Sequence, residues 1–550
     1  MSDDDDFFMI GGNSISAAHV AYNLGIDMRL LYMFPSPFRI LKALLDQKQI
    51  GGFSTSDAIL EKRLRADKGR NISFEITRDF LNKNSLGERV KNNTRTRIDD
   101  LVKLNRSQIT NHPIKIERLA SWDETGKMTS FHPSRHEDDP WLSICGLSKM
   151  CSFSRCNLTV LGSEGLLKPN FQACLPFELS VQGRGHIQEL WKVLLESCVD
   201  SSPVVMLKDG DVFLFIGSHS QIFLCIDAFS GLVRWQVILE GRIECSAVIT
   251  GDFSQVVVGC YKGKIYFLDC TTGSILWAFQ TSGEVKMQPV VDEDRGLIWC
   301  GSHDHHLYAL DYRRQLCISM ILFGGSIYAS PAIDKALKML YVATTSGFVS
   351  GVSLEVTPFS ILWRYEADAP LFGSLCLDSS SGNVFCCSVN GDVMALSPVG
   401  NIVWKANVGG PIFAGACLSF SLPSQLLICS RNGGLYSVDM ENGTLLWEYQ
   451  TGDPITASAY VDELSCVISK PSHPCHRLVC ICSSSGRIHV LRVHPNAKQE
   501  SAAGVPGNQL VEEFAAMNLP GDTFSSPVMI AGRIFVGCRD DYLHCVALRI

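Results

Sequence analysis

The sequence predicts a mainly β protein in which a closed ring of eight blades follows a short helical segment and a long linker. Two observations predict the ring. A β-rich unit of about forty residues recurs along the chain, and this length is typical of a radial repeat with four strands per unit. A tryptophan closes five copies of the unit: Trp235, Trp277, Trp363, Trp404 and Trp447. Met320 stands at the corresponding place in a sixth copy, between Trp277 and Trp363.

Composition bounds the class of protein. The net charge is −8, so no overall positive field favours nucleic acid. Of the 550 residues 46% are hydrophobic, which is average for a folded protein. No apolar stretch reaches the roughly 18 residues that a membrane span needs. The start, MSDDDD, is acidic where a secretory signal is basic. Most of the 22 cysteines stand singly in apolar strands, which is typical of reduced, buried thiols. We expect a cytoplasmic protein with neither a nucleic-acid nor a membrane partner.

Two regions precede the ring. Residues 1–49 contain two amphipathic runs, SISAAHVAYNL and FRILKALLDQ, separated by a Pro-Ser-Pro break, and we expect them to be helical. Residues 50–187 are polar, poor in aromatic residues and without a steady period, which predicts a largely disordered linker.

Residues 188–550 hold the repeats. In one copy, the runs SAVI, QVVVGC, IYFLD and ILWAF predict four strands. A tight turn from Asp269 to Gly273 joins the last two, and the glycine supplies the positive φ that such a turn requires. A small residue, often Ser or Ser-Pro, opens the first strand of most copies, which suits the crowded centre of a ring.

The count of units predicts how the ring closes. Seven full units occupy about 199–517, and the last unit stops after three strands. The missing strand is available near 189–195, which includes Trp191. Borrowing it would leave no open edge in the ring, so we expect an eighth blade built from both ends of the region. We expect each outer-strand indole to pack against the next blade.

The repeat resembles the pyrroloquinoline-quinone (PQQ) type propeller repeat, most clearly in LYALD (307–311) and in the pairs Gly273/Trp277 and Gly443/Trp447. The resemblance implies a propeller architecture. It does not imply quinone binding, because many propellers of this type bind no quinone, so PQQ is not expected as a cofactor. Cys386-Cys387 matches the adjacent cysteines of quinoprotein alcohol dehydrogenases, but it lies within an apolar strand, which favours a structural thiol pair. A PQQ-dependent oxidoreductase is kept as an alternative.

The N-terminal segment Gly11-Gly12-Asn13-Ser14-Ile15 resembles the 4′-phosphopantetheine attachment site of acyl and peptidyl carrier domains. The resemblance implies that Ser14 carries the pantetheine arm. A serine at a helix start places an anionic phosphate on free N–H groups, although an unmodified N-cap would use the same geometry. Carrier domains have a whole helix ahead of this point, and here only thirteen residues precede Ser14, so we expect a truncated carrier.

A carrier segment, a linker and a propeller in this order resemble the C-terminal half of the β-alanine-activating, aminoadipate-semialdehyde-dehydrogenase-like acyl-activating enzymes, the plant members most closely. The resemblance implies an ATP-dependent adenylating domain, in a missing N-terminal half or a separate chain, and a phosphopantetheinyl transferase as partners. This chain has no Gly-rich phosphate loop followed by Lys, so no catalytic centre is evident in it. We expect a carrier and scaffold portion holding an acyl thioester; a pure interaction scaffold is the other alternative.

The turns between second and third strands should share one face of the ring, since successive strands alternate in direction. We expect an unknown protein or small ligand to bind this polar face, at His219, His303, His305, Arg431, Arg539 and Asp540. No metal site is predicted. His303 and His305 need further ligands, and the run from Cys475 to Cys482 resembles a zinc spacing only loosely, so buried thiols are expected there.

Overall fold

The computed structural model describes residues 150–161, 177–180, 184–468 and 475–549. This part of the chain is almost entirely β-structure, with a short helix α1 (Ala497–Ala502) and two 3-10 turns (Arg155–Asn157 and Gly507–Gln509). Residues 1–49, including Ser14, and most of the predicted linker lie outside the described residues. No helix within the described ranges is long and apolar enough to span a membrane.

Four strands precede the first complete blade: β1 (Cys151–Ser154), β2 (Leu158–Leu161), β3 (Phe177–Ser180) and β4 (His186–Leu194). The first four blades then follow in order. Blade 1 contains β5 (Val204–Lys208), β6 (Asp211–Gly217), β7 (Ile222–Asp227) and β8 (Val233–Ile238), and blade 2 contains β9 (Val248–Ile249), β10 (Gln255–Gly259), β11 (Lys264–Asp269) and β12 (Ile275–Gln280). Blade 3 contains β13 (Val290–Asp292), β14 (Leu297–Gly301), β15 (His306–Asp311) and β16 (Leu316–Leu322), and blade 4 contains β17 (Ala332–Asp334), β18 (Met339–Ala343), β19 (Phe348–Ser353) and β20 (Ser360–Glu366).

The last four blades complete the ring. Blade 5 contains β21 (Cys376–Leu377), β22 (Val384–Cys387), β23 (Asp392–Leu396) and β24 (Ile402–Asn407), and blade 6 contains β25 (Gln425–Cys429), β26 (Gly434–Asp439) and β27 (Leu445–Gln450). Blade 7 contains β28 (Tyr460–Ile468), β29 (His476–Cys482), β30 (Arg487–Val493) and β31 (Val511–Asn518), and blade 8 contains β32 (Val528–Ile530), β33 (Arg533–Gly537) and β34 (Tyr542–Arg549). In blade 6 the innermost strand is reduced to one bridge, Cys417 to Leu427. The predicted eight-bladed ring is confirmed.

Burial follows the position of a strand within its blade. Several second strands are buried along their whole length, as in β14 (LIWCG) and β18 (MLYVA), because neighbouring blades cover both faces. Outer strands such as β20 (SILWRYE) alternate exposed and half-buried residues, because water reaches their outer edge. The hydrophobic core therefore lies between the blades as a series of interblade layers.

The eighth blade closes the ring with a strand from the other end of the propeller, as the sequence predicts. β34 pairs antiparallel with β4, from Tyr542 opposite Leu194 to Arg549 opposite His186. Trp191 of β4 lies 5.9 Å from Phe535 of blade 8 between ring centroids. Its indole also donates 3.2 Å to the carbonyl of Phe229 in blade 1, so one residue ties the last blade to the first.

The outer-strand tryptophans mostly pack on the following blade as predicted. In four blades the indole N–H donates to a carbonyl in the next blade's last turn, and the ring lies against a turn glycine; the donors are Trp191, Trp235, Trp363 and Trp404. Trp277 and Trp447 differ. Trp277 stacks on Phe267 of its own blade at 4.6 Å, and Trp447 donates 2.8 Å to the Gln425 amide oxygen, also in its own blade.

The most unexpected element is a hairpin inside the central channel, which we call the channel hairpin (residues 151–161). Its strand β1 pairs antiparallel with β5, the innermost strand of blade 1, with Phe153 opposite Val205. The side chains of its turn reach blades 3 to 7. The linker prediction therefore does not extend to residues 151–161, nor to β3, which pairs in parallel with β28. Both pieces are short and gain their order from strands distant in sequence.

Candidate ligand site at the channel mouth

One face of the ring presents eightfold-equivalent turns around the channel. In every blade the first residue of the turn after the second strand donates its backbone N–H to a carbonyl ahead of the first strand, at 2.7 to 3.1 Å. The eight donors are His219, Tyr261, His303, Thr345, Val389, Arg431, Ser484 and Arg539. This bond holds the chain entering each blade against that blade's own turn. We call this face the mouth.

A second set of eight residues completes the mouth. Each stands two positions before the residue that opens its blade, and the set is Asp200, Glu244, Lys286, Tyr328, Phe372, Phe413, Thr456 and Phe524. Side-chain contacts among these sixteen positions cross the boundaries between neighbouring blades, from blade 8 through blade 6. We call the sixteen positions the rim; the contacts join its residues in one arc from blade 8 to blade 6.

The rim is charged over blades 8, 1 and 2. Arg539 binds Asp200 through two hydrogen bonds of 2.9 and 2.7 Å. His219 Nε2 lies 3.3 Å from an Asp200 oxygen and 3.7 Å from a Glu244 oxygen. Burial raises the pKa of Asp200, but the hydrogen bonds from Arg539 and His219 outweigh it and bring that pKa to about 2. Asp200 is therefore an anion over the whole physiological range.

Tyr261 connects this charged arc to blade 3. Its hydroxyl donates to Glu244, and its ring carries Arg242 at 3.7 Å and Lys286 at 4.4 Å from the centroid. Burial first, and then the charge of Glu244, raise the pKa of this tyrosine, so it stays a neutral donor. The Glu244 side chain remains 21% exposed and is the carboxylate of this arc that faces solvent most.

His303 marks the change from charged to aromatic residues. Burial, followed by the nearby charge of Lys286, lowers the pKa of His303 to about 3, so its ring is neutral at physiological pH. That ring meets Tyr328 edge-on at 6.0 Å between centroids. Tyr328 in turn contacts Phe372 at 5.4 Å, and Phe372 contacts Phe413 at 5.7 Å. Blades 4 to 6 thus hold an aromatic arc opposite the charged arc, and its central ring, Phe372, is buried.

Arg431 ends the aromatic arc on the side of blade 6. Its guanidinium lies 5.9 Å from the centroid of the Phe413 ring, and burial lowers its pKa. The mouth is therefore amphipathic: acids and bases line one half, and aromatic rings capped by a cation line the other.

The channel hairpin closes the base of the mouth. Arg155 Nε donates 3.3 Å to the Gln288 side chain, and its Nη2 donates to the hydroxyls of Ser330 and Ser374 at 3.0 and 2.8 Å. All three acceptors are the blade-opening residues next to the rim. The neighbouring Cys156 thiol donates 2.9 Å to Ser458 in blade 7.

Asn157 completes the closure at blade 7. Its side chain makes a two-way bond with the backbone of Val461, accepting at 2.8 Å and donating at 2.7 Å, as a paired strand would. β1 runs antiparallel to β5, and β5 leads away from the mouth, so the hairpin enters from the opposite face and only its turn reaches the base of the mouth. The mouth is therefore blocked at its base.

The structure separates the six residues that the sequence assigns to this face. His219, His303, Arg431 and Arg539 all occupy the rim position. His305 is exposed two residues further along its turn, with a φ of 73° that the turn requires. Asp540 bonds His544 Nε2 at 2.9 Å, in the same way that Asp304 receives the Tyr308 hydroxyl at 2.7 Å in blade 3. Asp540 therefore stabilises its own blade.

Two groups of side chains have metal-ligand composition, Asp200–His219–Glu244 and Cys538–Asp540–His544, each with ligand atoms within 4.8 Å of one another. Hydrogen bonds from protein groups already engage part of each group, although the buried His219 Nε2 has no hydrogen-bond partner. Arg539 occupies both oxygens of Asp200, and His544 lies between Glu189 at 3.0 Å and Asp540 at 2.9 Å.

The cysteines partly differ from expectation. Cys475 forms a disulfide with Cys466, so the prediction of a buried free thiol at Cys475 is wrong, whereas Cys480 and Cys482 are buried free thiols. Cys466 lies in β28 and Cys475 directly precedes β29, so the disulfide joins two neighbouring strands of blade 7. Cys386 and Cys387 are free and buried in two different interblade cores, so their side chains point to opposite faces of β22.

Sequence reasoning missed twelve of the sixteen rim positions, namely the turn residues Tyr261, Thr345, Val389 and Ser484 and the whole second set. The residues of the second set share a place in the repeat, two positions before the blade-opening residue, as in V-D-S-S-P, I-Y-A-S-P and T-F-S-S-P. An alignment of the units on the opening residue would have shown Asp, Glu, Lys, Tyr, Phe, Phe, Thr and Phe at one equivalent position. This position of the repeat varies in chemistry from blade to blade, whereas the neighbouring positions of the repeat vary little. That difference was the available signal of a surface role.

Comparison with known proteins gives a consistent family. The model of the β-propeller of the β-alanine-activating enzyme matches residues 195–548. The β-alanine-activating enzyme of Danio rerio is 32% identical over 406 residues, which cover 70% of this chain and 32% of that protein. The enzyme of that name from Drosophila melanogaster is 30% identical over 384 residues, covering 66% and 35%. This chain thus spans about a third of the length of these relatives.

Solved structures agree on the fold alone. The C-terminal WD40 domain of Sif2 superposes with a TM-score of 0.51 at 12% identity, covering 67% of this chain and 99% of that domain. At such low identity the likeness supports the propeller architecture without bearing on what the mouth binds.

Proposed function

Because this chain belongs to the β-propeller family of the β-alanine-activating enzymes, we propose that it is the carrier and propeller portion of an acyl-activating enzyme. In this proposal an acyl or aminoacyl group is held as a thioester on a phosphopantetheine arm at Ser14, and the mouth receives that group. The observation that carries the proposal is the family match over residues 195–548. The carrier-like segment at 11–15 and the amphipathic mouth add to it.

The carrier role depends on Ser14. A phosphopantetheinyl transferase would move the phosphopantetheine of coenzyme A onto the Ser14 hydroxyl, releasing adenosine 3′,5′-bisphosphate. An adenylating domain, on the same polypeptide or a separate one, would then form an acyl adenylate from the carboxylate and ATP with release of pyrophosphate. It would pass the acyl group to the arm's thiol with release of AMP. The name of the relatives makes β-alanine the first substrate to test.

The mouth fits the end of such an arm. A β-aminoacyl group ends in an ammonium, and Glu244 is the acid of the charged arc that is most open to solvent. The pantetheine portion joins amide groups by apolar methylenes, which suit the aromatic arc on the opposite half. Since the channel hairpin closes the base, the arm would enter from one side only.

Mass spectrometry of the full chain tests the carrier role. After incubation with coenzyme A and a phosphopantetheinyl transferase, we expect the mass to rise by one phosphopantetheine. Ser14→Ala should abolish the gain, and Ser16→Ala, two residues away in the same segment, should retain it. No gain in the unaltered chain, or a gain that survives Ser14→Ala, would reject Ser14 as the attachment site.

A further inference from the structure

Two of the eight turns of the rim begin with an arginine, Arg431 in blade 6 and Arg539 in blade 8. Arg539 binds both carboxylate oxygens of Asp200, which stands just ahead of blade 1, at 2.9 and 2.7 Å. In the repeat, the residue that stands to Arg431 as Asp200 stands to Arg539 is Thr456, ahead of blade 7, and its side chain has no charge. Arg431 therefore occupies the position of an ion-paired arginine without the acid that would pair with it.

The contacts of Arg431 agree with this missing partner. Its guanidinium lies 5.9 Å from the centroid of the Phe413 ring, and it forms neither an ion pair nor a hydrogen bond with any residue that the structure describes. Asp453, an acid on the chain entering blade 7, accepts the backbone N–H of Ser485 at 3.1 Å instead. Arg431 is half-buried, so it has lost part of its hydration with no counter-charge in return.

The two arginines differ in pKa for the same reason. Burial acts to lower the pKa of Arg539, but its hydrogen bonds to Asp200 outweigh burial and raise that pKa. Burial lowers the pKa of Arg431. A guanidinium nevertheless stays protonated at any physiological pH, so position 431 holds a fixed positive charge at the mouth.

Two hydroxyl groups occupy the neighbouring rim positions in blade 7. Thr456 Oγ1 and Ser484 Oγ lie 3.2 Å apart, so one hydroxyl donates to the other and the second retains a proton to donate elsewhere. Both residues are half-buried. A guanidinium together with serine and threonine hydroxyls is a donor set that suits phosphate oxygens. This part of the rim is therefore equipped for an anion that the chain itself does not supply.

We propose that Arg431, with the hydroxyls of Thr456 and Ser484, binds the phosphate group of a phosphopantetheine arm. The identity of the arm rests on the proposed function, whereas the preference for phosphate rests on these three side chains. The arm would run from Arg431 along the aromatic arc, beginning at Phe413, and its amino end would reach Glu244 on the charged arc. The two ends of the ligand would thus meet opposite charges on opposite halves of the mouth.

Isothermal titration calorimetry of the full chain carrying Ser14→Ala tests the inference with free ligands, so no covalent arm is needed. We expect 4′-phosphopantetheine to bind more tightly than pantetheine, which lacks the phosphate. Arg431→Gln should weaken phosphopantetheine binding at least about tenfold, because it removes charge-assisted hydrogen bonds. Arg364→Gln, the same change at an exposed arginine on the outer strand β20, should alter that affinity by less than about threefold.

Thr456→Asp supplies the missing acid and tests the comparison with Arg539. The new carboxylate should hold Arg431 as Asp200 holds Arg539, so we expect phosphopantetheine to bind no more tightly than pantetheine. The temperature of thermal unfolding should not fall, which shows that the variant is folded. Thr456→Asn, of the same size and without charge, should retain most of the preference for the phosphorylated ligand.

The titrations can overturn the inference in two ways. Equal binding of phosphopantetheine and pantetheine, or a preference that Arg431→Gln leaves unaltered, would exclude Arg431 as a phosphate site. Inorganic phosphate that binds as tightly as phosphopantetheine, with the same sensitivity to Arg431→Gln, would assign the site to free phosphate and exclude the arm as its ligand. Since position 14 is alanine throughout, failure of this site appears in the titration, whereas failure of the attachment appears as a missing mass gain.

Discussion

At the scale of single residues, Arg155 connects more of the molecule than any neighbour in the channel. Its guanidinium bonds the opening residues of blades 3, 4 and 5, and its chain is paired with blade 1. Arg155→Ala would leave three channel-facing acceptors without this donor, so we expect a loss of about 2 kcal/mol in the free energy of unfolding. Urea denaturation measures it.

The matched control for Arg155 is Arg364→Ala, since Arg364 lies exposed on β20 and should change the same free energy by less than about 0.5 kcal/mol. Equal effects of the two substitutions would show that the channel hairpin contributes nothing specific. Faster hydrogen exchange confined to residues 151–161 in Arg155→Ala would locate the loss in the hairpin.

The ion pair of Asp200 and Arg539 predicts part of the acid response. The pKa of Asp200 lies at about 2 in the folded chain against an ordinary 3.8. A lowered folded pKa stabilises the protein fully above the ordinary value, and the stabilisation is lost as the pH falls toward the folded value. The loss should therefore occur between about pH 4 and 2 and amount to about 2 kcal/mol.

The difference between unaltered protein and Asp200→Asn isolates this contribution. Thermal unfolding from pH 6 to 2 should show a gap in stability between the two proteins that narrows below about pH 4, because only the unaltered chain has a carboxylate at position 200 to protonate. Asp211→Asn, at a carboxylate that is 59% exposed, should run parallel to the unaltered protein. A gap that stays constant with pH would contradict the assigned ionisation of Asp200.

The sequence assigned His219, His303, Arg431 and Arg539 to one face because polar residues at turns are conspicuous, and all four lie on the rim. That they bind a ligand stays a prediction. Phe372 and Phe413 were missed because a phenylalanine near a strand is ordinarily a core residue. Only the closed propeller, which brings the same position of each blade to one rim, places these aromatic side chains side by side.

At the scale of elements, β4 closes the ring by pairing with β34. Trp191 packs on Phe535 of blade 8 and donates to Phe229 of blade 1, so its loss loosens the join between the two ends of the propeller. We expect Trp191→Ala to reduce the free energy of unfolding by about 3 kcal/mol, the lower end for a large aromatic residue because the side chain is only partly buried.

Met320→Ala serves as the comparison, because Met320 occupies the equivalent place in its unit and is 58% exposed. It should cost under about 1 kcal/mol in the free energy of unfolding. A similar cost for both substitutions would contradict the distinction between a packed indole and an exposed methionine at this position of the repeat.

The elements that the sequence predicts well are those with local signals. Strands, turn glycines and the borrowed strand follow from repetition over short distances. The channel hairpin was not predictable in this way, since its sequence CSFSRCNLTVL has no counterpart in the repeat. Its partners lie 52 residues away in β5 (Phe153 opposite Val205) and up to 306 residues away in blade 7. Its order is a tertiary effect, which local pattern does not contain.

At the scale of the whole molecule, the ring has two different faces. One is the amphipathic mouth, and the other is where the channel hairpin enters. A rim with charged and aromatic halves over a closed base resembles a receptacle for the end of a flexible arm more than a passage through the ring. We therefore propose that the propeller receives the group that the carrier-like segment would hold.

Photocrosslinking from the arm tests this central claim most directly. A phosphopantetheine with a photoreactive group at its thiol is loaded on Ser14 of the full chain, and the linked peptides are identified by mass spectrometry after irradiation. We predict crosslinks concentrated on rim peptides, those holding Tyr261, Phe413 and Arg431 above all, and their absence from Ser14→Ala. Crosslinks spread over the outer strands, or none to the mouth, would contradict the account.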